Sequence, residues 1–304
     1  MCRLLTDYLL QLPVIFNFFK MKNIFSIASI IVVLSFIIVS CDVIEPPFTQ
    51  NGSGTTPTDT VKRKILLEDY TGHLCPNCPG AAIIAHQLMD LYPGQITLIT
   101  IHAGYFAKLV SPNYMTDFKC TTGNDLNTFF GVDLIGNPNG TINRKEFNGS
   151  KIIGPDDWPS KISELLTLAP EADINITKNF NNNTSTIELT ANVDFFNDFQ
   201  NTIMISAYLT EDSIIDYQKN NDPLVGAVPE IADYVHMHVL RAALNDTWGD
   251  TLSANGAIAG AKYSKTISYT ITNSNWNKNQ MHIVVFIYDA ESLEVIQSEE
   301  IKLK

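Results

Sequence analysis

Apolar residues along this chain fall into three regimes. From Ile24 to Val39 they run on, interrupted only by serines and one alanine. From Ile65 to Leu168 short β-type runs alternate with helical spacing. Ile65–Leu67 and Gln95–His102 (QITLITIH) read as strands. Between them Ile84, Leu88 and Leu91 recur at i, i+4 and i+7, one face of a helix. Thr141–Arg144 predicts a short strand, and Leu126–Phe130 a helical turn. Asp156–Leu168 predicts a last helix, with Ile162, Leu165, Leu166 and Ala169 at helical spacing. Beyond Glu171 the helical spacing fades. Asp173–Lys178, Thr186–Phe195, Thr202–Thr210, Val235–Leu240, Tyr263–Thr272, His282–Asp289 and Glu294–Lys302 are rich in β-branched and aromatic residues, with Asn, Asp and Ser turns between them. The connection from Asp212 to Asp233 reads as a surface loop. Ala169-Pro170-Glu171 marks the boundary between the two regimes.

The first apolar run reads as an address. Lys20 and Lys22 precede it, and Ile38-Val39-Ser40-Cys41 closes it. A small residue before a cysteine is the pattern of a bacterial lipoprotein signal, in which the thiol of Cys41 accepts a diacylglycerol. The run is short for crossing a bilayer core, which favours cleavage over an anchor helix. Met21 is the better start, and residues 1–20 read as an upstream extension. Asp42–Asp59 (DVIEPPFTQNGSGTTPTD) reads as a flexible spacer. The expected organisation is a signal over 1–40, a linker over 41–60 and folded domains over 61–169 and 170–304. The implied partner is the lipid bilayer, reached through Cys41.

Composition narrows the function. The 304 residues are 45% hydrophobic, ordinary for a globular protein. Acidic residues outnumber basic ones, 32 to 20, which argues against binding nucleic acid. Five cysteines are too few for a dense disulfide scaffold, so a core must hold the fold.

The chemistry concentrates at Cys75-Pro76-Asn77-Cys78, between the first strand and the first helix. A helix N-terminus stabilises negative charge, and the thiolate is the nucleophile of disulfide exchange. In that reading Cys75 attacks, Cys78 resolves and His73 adds positive charge. Pro76 and Pro79 suit the first turn, where a missing N–H costs little. Two other readings stand beside it, a structural disulfide and a zinc site; the zinc site lacks a second CxxC. The order strand, CxxC, helix, strand resembles a thioredoxin-like fold, which implies a cis-proline at the start of the strand facing the CxxC, lining a substrate groove; Pro138, in Gly136-Asn137-Pro138-Asn139-Gly140, is the candidate for it. The catalytic candidates are therefore Cys75, Cys78, Pro138 and His73, and the implied partner is a protein thiol or disulfide.

The runs LLEDYTGHLCPNCPGAA, TIHAGYFA, GNPNGTINR and YVHMHVLRAALNDTWGDTL resemble the family of lipoproteins called outer membrane protein 28. The resemblance implies an N-terminal thioredoxin-like α/β domain followed by a C-terminal immunoglobulin-like β-sandwich, in an outer-membrane lipoprotein. It implies fold and location more firmly than a reaction. The leading functional expectation is thiol–disulfide exchange, and the alternative is a non-catalytic surface binding or adhesion protein.

Other candidates read more plainly. His236 and His238 share a face if Val235–Leu240 is one strand, which is metal-ligand spacing without a third ligand. His102 reads as a strand-ending histidine, His86 as a surface residue and Cys120 as a small buried residue. No phosphate loop or Ser/His/Asp signature is present, so no cofactor or resident metal is expected. The extended segment between His102 and Pro138 is placed to cover the groove beside the CxxC.

Overall fold

The computed structural model describes residues 61–304. Cys41, the signal and the spacer lie outside the described residues.

Thirteen strands and four α-helices occupy the described residues. Strand β1 (Ile65–Thr71) is followed by α1 (Cys78–Leu91), β2 (Ile96–His102), α2 (Thr121–Phe130), the short α3 (Val132–Ile135), β3 (Asn139–Ile142) and α4 (Trp158–Leu166). The rest is β: β4 (Ala172–Asn181), β5 (Thr186–Phe195), β6 (Ile203–Glu211), β7 (Ile214–Lys219), β8 (Glu230–His236), β9 (Val239–Ala243), β10 (Asp250–Ser253), β11 (Lys262–Thr270), β12 (Met281–Asp289) and β13 (Val295–Lys302). The periodicity thus located most elements. The segment read as the loop 212–233 is instead mostly the β7–β8 hairpin.

The fold class differs from the expected pairing of a thioredoxin-like α/β domain with an immunoglobulin-like sandwich. The chain is mostly β, and its largest sheet draws on both halves of the sequence. Its order is β13-β12-β6-β9-β2-β1-β3, with β10 added on β6. The seam is β9, which is antiparallel to β6 and parallel to β2 at Thr100 and Val239. At that seam the Thr100 amide donates to the His238 carbonyl at 2.8 Å. A second sheet, β11-β5-β4, packs on one face of the large one.

The physical reason lies in β6 and β12, which are buried on both faces. Ile205, Leu209, Ile283, Val285 and Ile287 pack against Ile187, Leu189 and Val193 of β5. Tyr208, Val284, Phe286 and Tyr288 face the other way and join Leu66, Tyr70, Ile99 and Ile101 in a second core. A third core lies under α1 and α4, around Ile65, Leu67, Leu98 and Trp158. A strand with layers on both sides is continuously apolar, not alternating, and MHIVVFIYD is such a run.

Polar groups fasten the same junction. Arg144 and Glu68 are fully buried, and the guanidinium meets both carboxylate oxygens at 2.9 and 2.6 Å. The guanidinium also lies over Phe286 and Tyr288, on β12. The Leu66 amide donates to Asn143 Oδ1 at 2.7 Å, and the Val295 amide to the Asn143 carbonyl at 2.8 Å.

Candidate functional site

Strand β1 delivers the chain to Gly72 and the Cys-Pro-Asn-Cys turn. Only glycine fits at 72, because a Cβ there would lie 2.4 Å from the Phe106 carbonyl. The turn is closed by the Cys75 amide donating to the Gly72 carbonyl at 2.9 Å. Helix α1 begins at Cys78, with Asn77 as its cap and Pro79 in its first turn. The second cysteine, not the first, therefore occupies the helix start. Pro76 lies in the turn ahead of it.

Cys75 and Cys78 form a disulfide with Cα atoms 5.4 Å apart. Both are buried, at 1% and 2% exposure. Two segments cover them. The first is the stretch after β2, where the Leu74 amide donates to the Phe106 carbonyl at 2.9 Å. The second is the β7–β8 hairpin. Gln218 Nε2 donates to the Cys75 carbonyl at 2.9 Å, and the Lys219 amide to the His73 carbonyl at 2.8 Å.

His73 is fully buried, with its ring edge-on to Tyr114 and Phe118. Its Nε2 faces the Lys108 carbonyl at 2.8 Å, so the ring donates there as the neutral Nε2–H tautomer. Burial lowers its pKa and keeps it uncharged at neutral pH, so it brings no positive charge to Cys75. The Asn137–Pro138 bond is cis and opens β3, where Asn139 pairs with Tyr70 near the end of β1. Pro138 is not among the residues that line the cavity beneath the disulfide.

That cavity, about 30 Å³, is lined by Asp69, Thr71, Cys78, His86, His102, Gln218 and His236 among others. It has room for about two waters. Asp69 Oδ1, His102 Nδ1 and His236 Nε2 are buried there without protein partners. Burial pushes the Asp69 carboxyl from 3.8 up to about 7. It lowers His236 from 6.5 to about 4, and holds His102 well below its usual value. His102 stacks on Phe118 and meets the His236 ring 5.4 Å away. It is thus part of a buried imidazole cluster as well as a strand end.

The His236/His238 pair does not share a face. The strand breaks at Met237, and His238 adopts a left-handed φ of 55°. His236 packs on Phe118, whereas His238 turns to Asp212 and His86. Among the described residues no three His, Cys, Asp or Glu side chains are set to hold a metal ion. His86 is half-buried between this cluster and the cavity. Cys120 is a free thiol that caps α2, its sulfur accepting the Gly123 amide at 3.3 Å; burial pushes its pKa up to about 11.

Asp69, Gln218 and Asn221 escaped the sequence reading. Asp69 left a trace, one of two adjacent carboxylates, Glu68 and Asp69, inside an otherwise apolar strand. Gln218, on the Cys75 carbonyl, and Asn221, whose amide donates to the Pro76 carbonyl at 3.1 Å, left none, since they approach the turn from 143 and 145 positions away.

A mostly β fold with a buried disulfide at a helix start defines the class, a protein of an oxidising compartment. The family model described as outer membrane protein Omp28 matches residues 126–304. The chain belongs to that family, and it is an outer-membrane lipoprotein of the cell envelope. No curated protein matches it. Among solved structures it is similar to protein AGR_C_4864 from Agrobacterium tumefaciens, at 11% identity and a TM-score of 0.50, over 81% of this chain and 96% of that one. That likeness concerns the fold alone, and accords with a fold class other than the expected two-domain pairing. A domain of the outer membrane lipoprotein Omp28 from Porphyromonas gingivalis matches at 20% identity, over 43% of this chain and 94% of that one, with a TM-score of 0.29.

Proposed function

We propose that the protein is a non-catalytic binding lipoprotein of the outer membrane in which Cys75–Cys78 is a structural clasp. The carrying observation is that both cysteines are buried under a hairpin hydrogen-bonded to the turn itself. An attacking thiol needs a line to the sulfur, and exchange rates depend on that access. An exposed groove supports a binding role. It is about 490 Å³ and is lined by Phe129, Met204, Trp248, Tyr288 and Leu293. The reduction potential tests the clasp: structural disulfides lie below about −300 mV, and exchange catalysts between about −270 and −120 mV. A value in the second range removes this reading.

A second reading, thiol–disulfide exchange with Cys75, Cys78, His73 and Pro138 at the site, is favoured by one observation. Asp69 lines the same cavity as Cys78, and its carboxyl is poised near neutrality. Such a group is able to take up or return the proton of a buried thiol. Turnover of a small disulfide with reductant, lost in Cys75→Ser, decides for it.

A further inference from the structure

The β7–β8 hairpin is attached unlike any other strand pair. Among the described residues its two strands form a ladder only with each other. It leaves the large sheet through Ser213, between β6 and β7, and returns through His238, between β8 and β9. Both are non-glycine residues in the left-handed region, with φ of 60° and 55°. The two reversals lie side by side. The Ser213 amide donates to Met237 Sδ at 3.3 Å, and the His238 amide to Asp212 Oδ1 at 2.6 Å.

The far end of the hairpin runs along the cysteine turn and hydrogen-bonds to it through main-chain amides. The Lys219 amide donates to the His73 carbonyl at 2.8 Å and the Asn221 amide to the Pro76 carbonyl at 3.1 Å. The Asn220 amide between them points back into its own hairpin, to the Pro229 carbonyl at 2.9 Å. The two donors lie two residues apart on one side of the chain, and they reach carbonyls three residues apart on the turn. Gln218 completes the contact on the Cys75 carbonyl.

We propose that residues 218–221 are an internal ligand of the Cys75–Cys78 turn, held by a hairpin hinged at Ser213 and His238. Lifting the hairpin removes one of the two segments over the disulfide and frees the His73 and Pro76 carbonyls for an extended polypeptide. This goes beyond the clasp reading, because it concerns how the disulfide is reached and not its potential. Opening of such a unit costs less than global unfolding, because no ladder to another strand has to break.

The test is reduction of the folded protein by excess dithiothreitol, followed by alkylation and mass measurement. The reductant gives up two electrons and two protons, leaving two protein thiols and its own cyclic disulfide. The rate is expected to level off with reductant concentration, at the opening rate that amides of residues 214–236 report when deuterium exchange is run at a pH high enough for every opening to lead to exchange, while amides of β12 stay protected. Gln218→Ala removes the side-chain bonds to the Gly72 and Cys75 carbonyls, and Asn221→Ala removes the bond from Asn221 Nδ2 to Asn77 Oδ1 while keeping its main-chain amide; each is expected to speed reduction about tenfold, the effect of losing one or two hydrogen bonds. A synthetic peptide of residues 216–222 is expected to slow the Gln218→Ala reaction. Reduction that keeps pace only with β12 exchange overturns the hinge. So do folded variants reduced at the wild-type rate, and failure of the peptide to slow reduction overturns the ligand assignment. If a variant does not fold, the wild-type comparison of reduction with exchange still decides. A potential in the exchange range removes the clasp and leaves the hinge standing.

Discussion

Asp69 should make the protein less stable as the pH rises. Its carboxyl is buried in β1, and Oδ1 has no protein partner. Nothing offsets the loss of hydration when it ionises, so its pKa rises from 3.8 to about 7. For an acid raised in this way, the folded state keeps the proton over an interval where the unfolded chain has lost it. The full stability is present below pH 3.8, declines as the pH climbs towards 7 and is flat above. The whole penalty is about 4 kcal/mol, and about 1 kcal/mol of it has accrued by pH 4.5. Asp69→Asn keeps the shape and removes the ionisation. Urea unfolding of both proteins from about pH 4.5 to about pH 8.5 should show the variant's advantage growing by about 3 kcal/mol. The imidazoles are common to both proteins and cancel in the difference. An advantage that stays constant across this range, or that shrinks, would refute the claim that Asp69 is buried without a compensating charge.

Three further outcomes follow from the same structure. Arg144→Met should cost about 3–5 kcal/mol by stranding buried Glu68, whereas Glu68→Leu with Arg144→Met should restore most of it, read from denaturant midpoints. Replacing both Cys75 and Cys78 by alanine should lower stability by about 2 kcal/mol, the chain-entropy value for so short a loop, measured by thermal unfolding with and without reductant. His236 and His238 are both lowered from 6.5 to about 4, so stability should fall as the pH drops through that interval; His236→Phe should flatten the acid limb by up to about 3 kcal/mol.

Much of the secondary structure was legible because it depends on local period. Ile84, Leu88 and Leu91 lie in α1, although the face it buries is Ala81, Ala85 and Leu88 and Leu91 is exposed; the alternation in Thr186–Phe195 coincides with β5. The cysteine pair was also legible as a motif of four adjacent residues; the cis bond before Pro138 was expected only from a thioredoxin-like fold, and those before Pro112 and Pro229 left no sign in the sequence. Burial of the cysteines was not, because the atoms that cover them come from β7–β8. Nor was the true setting of His236 and His238: one left-handed residue at His238 turns their side chains apart, and nothing in VHMH announces it.

By itself, then, the sequence determined most of the elements, the position of the cysteine pair at the mouth of a helix and an excess of acidic over basic residues. Tertiary structure alone decided that the two halves share one sheet and that the pair is closed over. The physical reason is that local spacing says which residues must leave water but not what they meet when they do. The run MHIVVFIYD called for burial on both faces of its strand, and only the assembled chain could supply one layer from β5 and the other from β1 and β2.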